Sequence, residues 1–340
     1  MKEESVYPKE DKVFDFCGAG YSGTFMMNTI HPCFSESDAL SDVPGGADAF
    51  FYEKRRSLEK EDIFVMKTTV LTFRKMKRQG EKISMLTCYD YTTARLMDGT
   101  VDGILVGDSY GNTMLGYDST LPVTMDHLIA ATQGVVRGCK ESLVVFDMPF
   151  MSYQVSVEQA LENAGRALKE TGCQAVKLEG GASVCPQIAA LSHAGIPVVA
   201  HIGLTPQSVN ALGGNRVQGK TGEEAERLIE DARKVEEAGA FAVVLECIPA
   251  PVAERISREV NIPTIGIGAG AGCDGQILVY QDMLGMNEDF KPKFVKRYAA
   301  LAEEMRSAFR EYTADVKGGR FPEASHQFEM SSEEELKKLY

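Results

Sequence analysis

The most constraining feature of this chain is a series of six short apolar runs that follow one another at helix-sized intervals. The runs are Leu105-Val-Gly-Asp108-Ser109, Val144-Val-Phe-Asp147, Ala175-Val-Lys177-Leu-Glu179, Val198-Val-Ala-His201, Val243-Val-Leu-Glu246 and Pro263-Thr-Ile-Gly-Ile-Gly268. An unbroken apolar run is typical of a strand buried on both faces, in a parallel sheet that helices cover. In a (β/α)₈ barrel the catalytic side chains lie where such strands end. The carboxylates, lysine and histidine that end these runs therefore predict one enzyme pocket.

Strand and helix signals alternate eight times from Glu81 onward. The predicted strands cover residues 83–89, 103–108, 143–148, 175–179, 197–202, 241–247, 263–267 and 276–281. Capping-box spacing at Ser156 and Thr221 predicts helices that end near Gly172 and Gly239, and a long final helix is predicted over 291–312. Eight such units favour an α/β fold of the closed (β/α)₈ TIM-barrel type over an open doubly wound sheet.

The first 65 residues differ from the rest because they show no strand–helix rhythm. We predict an N-terminal extension over 1–65 that is flexible or non-catalytic. The (β/α)₈ barrel catalytic domain is predicted over 66–328, and a polar C-terminal tail over 329–340.

Composition argues against several classes of partner. The net charge of −13 disfavours nucleic acid, which selects basic surfaces. No apolar run approaches the roughly 18 residues that a membrane span needs, and the acidic N-terminus lacks the apolar segment of a secretory signal. The eight cysteines include no C-x-x-C pair and no clustered zinc spacing. Scattered cysteines fit a reducing compartment, so we expect a cytoplasmic protein.

Three acids at consecutive strand ends, Asp108, Asp147 and Glu179, predict a metal site. Buried carboxylates are costly unless a cation compensates them, and oxygen ligands without nearby cysteine favour Mg²⁺ or another hard divalent ion. The alternative is that these acids cap helices or pair with arginines.

Lys177 and Glu179 alternate on one predicted strand, so both side chains point the same way. Lys177 is suited to binding a substrate carboxylate or forming a Schiff base, or else to a structural ion pair with glutamate. His201 is suited to donating to a substrate oxygen or acting as an acid, or else to bonding with backbone. Glu246 lies among apolar residues, which favours a proton acceptor over a buried acid paired with arginine.

The segment Gly214-Asn-Arg-Val-Gln-Gly-Lys-Thr221 matches the P-loop pattern, but no predicted strand directly precedes it. We interpret it as a mobile glycine-rich loop over the pocket. The glycines of Gly266-Ile-Gly-Ala-Gly270 do not complete a dinucleotide fingerprint and indicate a tight turn or close approach to a ligand.

Several motifs together resemble the 3-methyl-2-oxobutanoate (ketopantoate) hydroxymethyltransferase family over about residues 66–328. They are Val106-Gly-Asp-Ser109, Asp118-Ser-Thr-Leu-Pro-Val-Thr124, Asp147-Met-Pro-Phe150, Lys177-Leu-Glu-Gly-Gly181, His201-Ile-Gly-Leu-Thr-Pro-Gln207, Gly266-Ile-Gly-Ala-Gly270 and Asp274-Gly-Gln-Ile-Leu-Val279. The resemblance implies a barrel of the phosphoenolpyruvate/pyruvate-like superfamily. It also implies transfer of a one-carbon unit from 5,10-methylenetetrahydrofolate to 3-methyl-2-oxobutanoate in pantothenate and coenzyme A synthesis.

The resemblance also implies roles for individual residues. The metal positions fall on Asp108, Asp147 and Glu179, with Mg²⁺ as the expected ion. The positions that bind the oxo acid fall on Asp108, Ser109, Asp147 and Lys177; His201 lines the same pocket, and Glu246 is the proton acceptor. Small-molecule substrates and a homo-oligomer, commonly a decamer, are the implied partners.

Three alternatives stay open on the sequence. A related metal-dependent lyase or mutase of the same barrel superfamily would act next to a 2-oxo acid without folate. A nucleotide-binding switch would use Gly214–Thr221. A non-catalytic barrel would serve as an assembly scaffold.

Overall fold

The computed structural model describes residues 67–288 and 291–330. The predicted extension over 1–65 lies outside these residues, as does all but the first two residues of the predicted tail over 329–340. The proposed domain boundaries therefore stay predictions.

Eight parallel strands form a closed barrel in which each strand pairs with the next along the chain and the last pairs with the first. The strands are β1 (Ile83–Thr87), β2 (Gly103–Val106), β3 (Leu143–Asp147), β4 (Ala175–Glu179), β5 (Val198–Gly203), β6 (Ala242–Glu246), β7 (Thr264–Ile267) and β8 (Gly275–Leu278). The predicted (β/α)₈ barrel is confirmed, and every predicted strand is present with its ends moved by at most a few residues.

The described helices are α1 (Val70–Gln79), α2 (Tyr91–Met97), α3 (Tyr110–Thr113), α4 (Met125–Gly138), α5 (Val157–Thr171), α6 (Cys185–His193), α7 (Val209–Leu212), α8 (Gly222–Glu237), α9 (Ala250–Glu259), α10 (Tyr280–Met283) and α11 (Leu301–Lys317). Short 3₁₀ turns lie at Ala182–Val184, Pro206–Ser208 and Ala324–His326. The two predicted helix starts are confirmed. Thr221 and Glu224 form a capping box, in which each side chain accepts from the other residue's backbone N–H, and the Ser156 side chain accepts from Gln159 N.

The predicted final helix over 291–312 is wrong in its bounds, because α11 begins only at Leu301 and continues to Lys317. The preceding segment bonds instead to the turn after α10. Tyr298 N donates to Met283 O at 2.7 Å, and Leu301 N donates to Leu284 O at 3.0 Å. These tertiary hydrogen bonds use backbone N–H groups that a helix would need for itself.

The barrel interior is filled by inward-facing apolar side chains such as Val145, Val199 and Val244. At the end where the strands begin, Phe73 of α1 is 1% exposed and its ring lies 6.3 Å from that of Phe241. A Cβ on Gly103 would lie 2.9 Å from Phe73 Cζ, so β2 begins with glycine where the ring packs. Helix α1 therefore closes this end of the barrel, and the carboxyl ends of the strands face an open cavity.

No helix in residues 67–288 or 291–330 is long and apolar enough to cross a membrane. The described cysteines are 88, 139, 173, 185, 247 and 273, and none of them forms a disulfide.

Candidate active site

The inward alternation of the strands brings the predicted polar residues into one cavity of about 500 Å³. Asp147 on β3 pairs in register with Lys177 on β4, and Glu179 on β4 pairs with His201 on β5. The cavity wall includes Asp108, Ser109, Asp147, Lys177, Glu179, His201 and Glu246. All the sequence-predicted site residues therefore meet at the carboxyl ends of the strands.

Lys177 lies among the buried carboxylates. Its Nζ is 2.6 Å from Asp147 Oδ1 and 3.6 Å from Glu179 Oε1. Burial lowers the pKa of this lysine, but Asp147, Glu179 and Asp108 outweigh burial and raise its pKa above the ordinary value. The ammonium is therefore charged, which is the state that binds a carboxylate and not the neutral amine that forms a Schiff base.

The carboxylates outnumber the cations around them. Burial and the charge of Asp147 raise the pKa of Asp108 well above its usual range. Burial also raises the pKa of Asp147, against the opposing effect of Lys177. The raised pKa values indicate that the ionised acids repel one another. A further positive charge in the pocket would stabilise their ionised forms.

Asp108 and Asp147 fit the role of direct ligands to a divalent cation. Asp108 N donates to Asp147 Oδ2 at 3.1 Å, which holds the two side by side. Mg²⁺ in proteins commonly binds through one or two carboxylates and completes its shell with water and substrate oxygens. Within the described residues, no three His, Cys, Asp or Glu side chains already stand at metal-binding spacing. The predicted role of Glu179 as a third ligand therefore stays a prediction.

Glu179 is held by three neighbours. Its Oε2 accepts from Gln207 N at 2.9 Å, while Oε1 faces Lys177 and lies 3.5 Å from His201 Nδ1. Burial raises the pKa of Glu179, but Lys177 and His201 outweigh burial and lower it. This acid is therefore ionised.

His201 lies between two glutamates. Its Nε2 is 3.2 Å from Glu246 Oε2, but neither ring nitrogen has a well-aligned hydrogen bond to any described residue. Burial and Lys177 lower the pKa of His201, and Glu179 and Glu246 overcome both to raise it to about 9. The alternative of a histidine bonded to backbone is therefore wrong for His201.

Glu246 ends β6 and its side chain is 16% exposed to the cavity. In the described part of the chain, His201 is its ionic neighbour and no arginine contacts it. Within the described residues no arginine forms an ion pair with Asp108, Asp147 or Glu179 either, so the arginine-pairing alternatives are wrong for these acids.

Ser109 follows Asp108 at the start of α3. Its hydroxyl shares a hydrogen bond of 2.7 Å with the hydroxyl of Tyr89. A Cβ on Gly107 would lie 2.9 Å from Ser109 Oγ, so glycine at this position leaves space for the serine hydroxyl beside the cavity.

Sequence reasoning missed the role of Gln207. Its Nε2 donates to Asp108 Oδ2 at 3.0 Å and to Met148 O at 2.9 Å, while its Oε1 accepts from Tyr153 O–H at 2.7 Å. Gln207 is 5% exposed. Its place in the motif that follows His201 was a signal, whereas nothing in the sequence marked Tyr153.

The glycine-rich loop lies where it was predicted, with Asn215, Arg216 and Val217 on the cavity wall. Gln218 N donates to Cys247 O at 2.9 Å and so fixes the loop to the end of β6. The preceding element is the short helix α7 and not a strand. This context does not suit a nucleotide-binding P-loop.

Solved structures share the fold. A phosphoenolpyruvate phosphomutase from Streptomyces platensis subsp. rosaceus superposes with a TM-score of 0.51 at 15% identity, covering 79% of this chain and 95% of that chain. A phosphonopyruvate hydrolase has a TM-score of 0.50 at 12% identity, covering 81% and 94%. At these identities the similarity supports the barrel alone.

Sequence comparison is more specific. The family model described as ketopantoate hydroxymethyltransferase matches residues 67–324. The 3-methyl-2-oxobutanoate hydroxymethyltransferase of Clostridium novyi (strain NT) is 61% identical over 276 residues, which are 81% of this chain and all of that protein. The enzyme of that name from Enterococcus faecalis is 60% identical over the same shares. The chain belongs to the ketopantoate hydroxymethyltransferase family.

Proposed function

We propose that this chain transfers a one-carbon unit from 5,10-methylenetetrahydrofolate to 3-methyl-2-oxobutanoate. With the uptake of water, the products are 2-dehydropantoate and tetrahydrofolate, a step of pantothenate and coenzyme A synthesis. Family membership supports this reaction, as do relatives at 61% and 60% identity that bear the name of the enzyme.

The main observation in support of this reaction is that one cavity contains both a charged group of residues and a separate glutamate. Lys177, Asp147 and Asp108 form the charged group at the ends of β2 to β4. Glu246 stands across the cavity at the end of β6. A 2-oxo acid loses its C3 proton only when the resulting enolate is stabilised, so both parts are needed.

The charged group suits the oxo acid. Asp108 and Asp147 would hold a divalent cation, which supplies positive charge that stabilises an enolate oxygen by several kcal/mol. Lys177 adds positive charge for the substrate carboxylate. The Ser109 hydroxyl and the His201 imidazolium are suited to donating hydrogen bonds to oxygens of the oxo acid. Glu179 holds Lys177 and His201 in place.

Glu246 is suited to accept the C3 proton. The enolate carbon then forms a bond to the one-carbon unit of the folate. Both bonds from that carbon to the folate nitrogens break during the transfer, and water supplies the hydroxyl oxygen of the product. The proton taken from C3 and one proton of the water end on the two nitrogens of tetrahydrofolate. The protonated His201 next to Glu246 donates only, so it does not compete for the proton.

The proposed enzyme is cytoplasmic and assembles as a homo-oligomer. Unpaired cysteines among the described residues support a cytoplasmic enzyme. The family resemblance supports a homo-oligomer, with a decamer as the proposed state.

The test is exchange of the C3 proton of 3-methyl-2-oxobutanoate, followed by NMR in D₂O with and without Mg²⁺. We expect exchange that depends on the metal, and formation of 2-dehydropantoate when methylenetetrahydrofolate is added. Absence of both exchange and product with metal and folate present would contradict the proposal and favour the related lyase or mutase.

Glu246→Gln tests the proton acceptor. The amide cannot take a proton, so we expect turnover to fall by about 10²- to 10⁴-fold, the range for a general base. Binding of the oxo acid should persist. Glu254→Gln on the outer helix α9 is the matched control and should exchange like the wild type. Wild-type exchange in the Glu246 variant would contradict the assignment.

A further inference from the structure

A second part of the cavity lies above β7, between the ends of β6 and β8. The charged group described above does not use it. Strand β7 ends at Ile267 and Gly268 follows it, so β7 itself contributes no polar side chain at its carboxyl end. The opening is therefore a cleft between the loop after β6 and the segment after β8.

An apolar wall lines this cleft on the side of Glu246. A Cβ on Gly268 would lie 3.0 Å from Phe294 Cδ1 and 3.4 Å from Cys247 Sγ. The ring of Phe294 is therefore packed at the end of β7, beside the residue that follows Glu246. Val217, Leu278 and Pro292 are further apolar residues that line the same cavity. Such a surface suits a flat heterocycle placed next to the proton acceptor.

Asp282 lies on the cavity wall at the other side of the cleft, in α10 directly after β8. It is 5% exposed. Its side-chain hydrogen bond within the described chain is a long one, 3.4 Å from Asn287 Nδ2 to Oδ1. Burial raises the pKa of its carboxyl, against the opposing effects of the Asn287 hydrogen bond and the charge of Arg297. A buried carboxylate with one long hydrogen bond keeps acceptor capacity for a ligand that brings hydrogen-bond donors.

Two cations stand at the mouth of the same cleft. Arg216 on the glycine-rich loop and Lys293 next to Phe294 both line the cavity and are exposed. In order of increasing exposure, these cavity residues are an acceptor at Asp282, an apolar ring at Phe294 and positive charge at Arg216 and Lys293. A reduced folate has the complementary order: a donor edge of amino group and ring N–H, aromatic rings, and glutamate carboxylates.

We infer that Asp282 accepts the hydrogen bonds of the pterin amino group and ring N–H, and that Arg216 and Lys293 bind the glutamate carboxylates. This inference rests on the proposed function and adds to it the site of the folate. Two parallel hydrogen bonds to one carboxylate give strength and orientation together. They would hold the one-carbon unit against Phe294, on the side of Glu246.

Asp282→Asn tests the pterin contact. The amide keeps one acceptor and loses the charge, so the KM for methylenetetrahydrofolate should rise by about 10- to 100-fold. Proton exchange at C3 with Mg²⁺ needs no folate and should stay within about twofold of the wild type. The control Asp126→Asn changes a side chain that is 83% exposed and should alter neither quantity.

A second test compares methylenetetrahydrofolate with an analogue that lacks the pterin amino group, in the wild type and in Asp282→Asn. The KM of the wild type should be higher for the analogue than for the normal folate, whereas the Asp282 variant should show little of that difference. Arg216→Ala and Lys293→Ala should each raise the KM by about 2- to 5-fold, more for a triglutamate than for a monoglutamate.

The outcomes are distinguishable. An unchanged folate KM in an Asp282 variant that exchanges normally would contradict the inference. Parallel loss of exchange and folate binding would also contradict it, because it would show a structural role. A wild-type chain that exchanges no C3 proton would instead contradict the proposed function itself.

Discussion

Lys177→Met removes the buried cation that compensates the carboxylates of the site. The lysine is 4% exposed, and its Nζ lies 2.6 Å from Asp147 Oδ1 and 3.6 Å from Glu179 Oε1. Methionine has a similar volume and leaves little cavity, so the change reports on the charge and on the hydrogen bond that Lys177 donates to Asp147.

The expected loss of stability is large. Removing one partner of a buried ion pair costs about 3–5 kcal/mol, because the remaining charge is left uncompensated. For a domain of this size each kcal/mol corresponds to roughly 2–4 °C in Tm. The metal-free variant should therefore melt about 6–20 °C below the wild type near neutral pH.

The loss should depend on pH. Lys177 lowers the pKa of Glu179, and a lowered carboxyl pKa stabilises the fold above the unfolded pKa and ceases to do so as the pH falls through the folded pKa. The difference between wild type and variant should therefore be greatest at about pH 8 and shrink towards about pH 4. Calorimetry of the protein in EDTA measures this difference.

The matched control is Lys77→Met. Lys77 Nζ lies 2.7 Å from Asp274 Oδ2 in a less buried pair with a single carboxylate, so its loss should be smaller. Adding Mg²⁺ should recover part of the Tm lost by the Lys177 variant, because a bound cation replaces the missing charge. A Lys177 variant that melts within about 2 °C of the wild type at pH 8 would refute the reasoning.

Two further predictions concern the same group of residues. Asp108→Asn should stabilise the metal-free protein by about 1–2 kcal/mol, because the raised pKa of Asp108 costs stability as the pH rises through the folded pKa. Denaturant unfolding in EDTA measures this gain, and a loss at high pH would contradict it. Gln207→Met should weaken Mg²⁺ binding by about 10- to 100-fold, because it frees Asp108. Calorimetric titration measures the affinity. The half-buried Gln133, which donates to Glu170 O on another helix, gives the control Gln133→Met, which should leave the affinity unchanged.

The barrel and most of the site could be predicted from the sequence because both depend on local patterns. An unbroken apolar run indicates a buried parallel strand, and the residue that ends it lies at the carboxyl edge. Asp147, Glu179 and Glu246 each follow this rule. Their convergence follows from closure of the barrel alone.

Other residues depend on contacts between distant segments, which no local pattern carries. Gln207 reaches Asp108, 99 positions away, because the turn after β5 folds back over the cavity. The start of α11 is set by hydrogen bonds to the turn after α10. Asp282 is polar in a short helix, and only the folded chain shows that it is buried against the cavity.

The packing of Phe73 at the base of the barrel has a kinetic consequence. With that end filled, small molecules reach Lys177 and Asp147 through the mouth, past the cleft that ends in Arg216 and Lys293. If the folate occupies that cleft, it covers the oxo acid below it. Steady-state kinetics should therefore show a compulsory order, in which the oxo acid enters first and its hydroxymethylated product departs last.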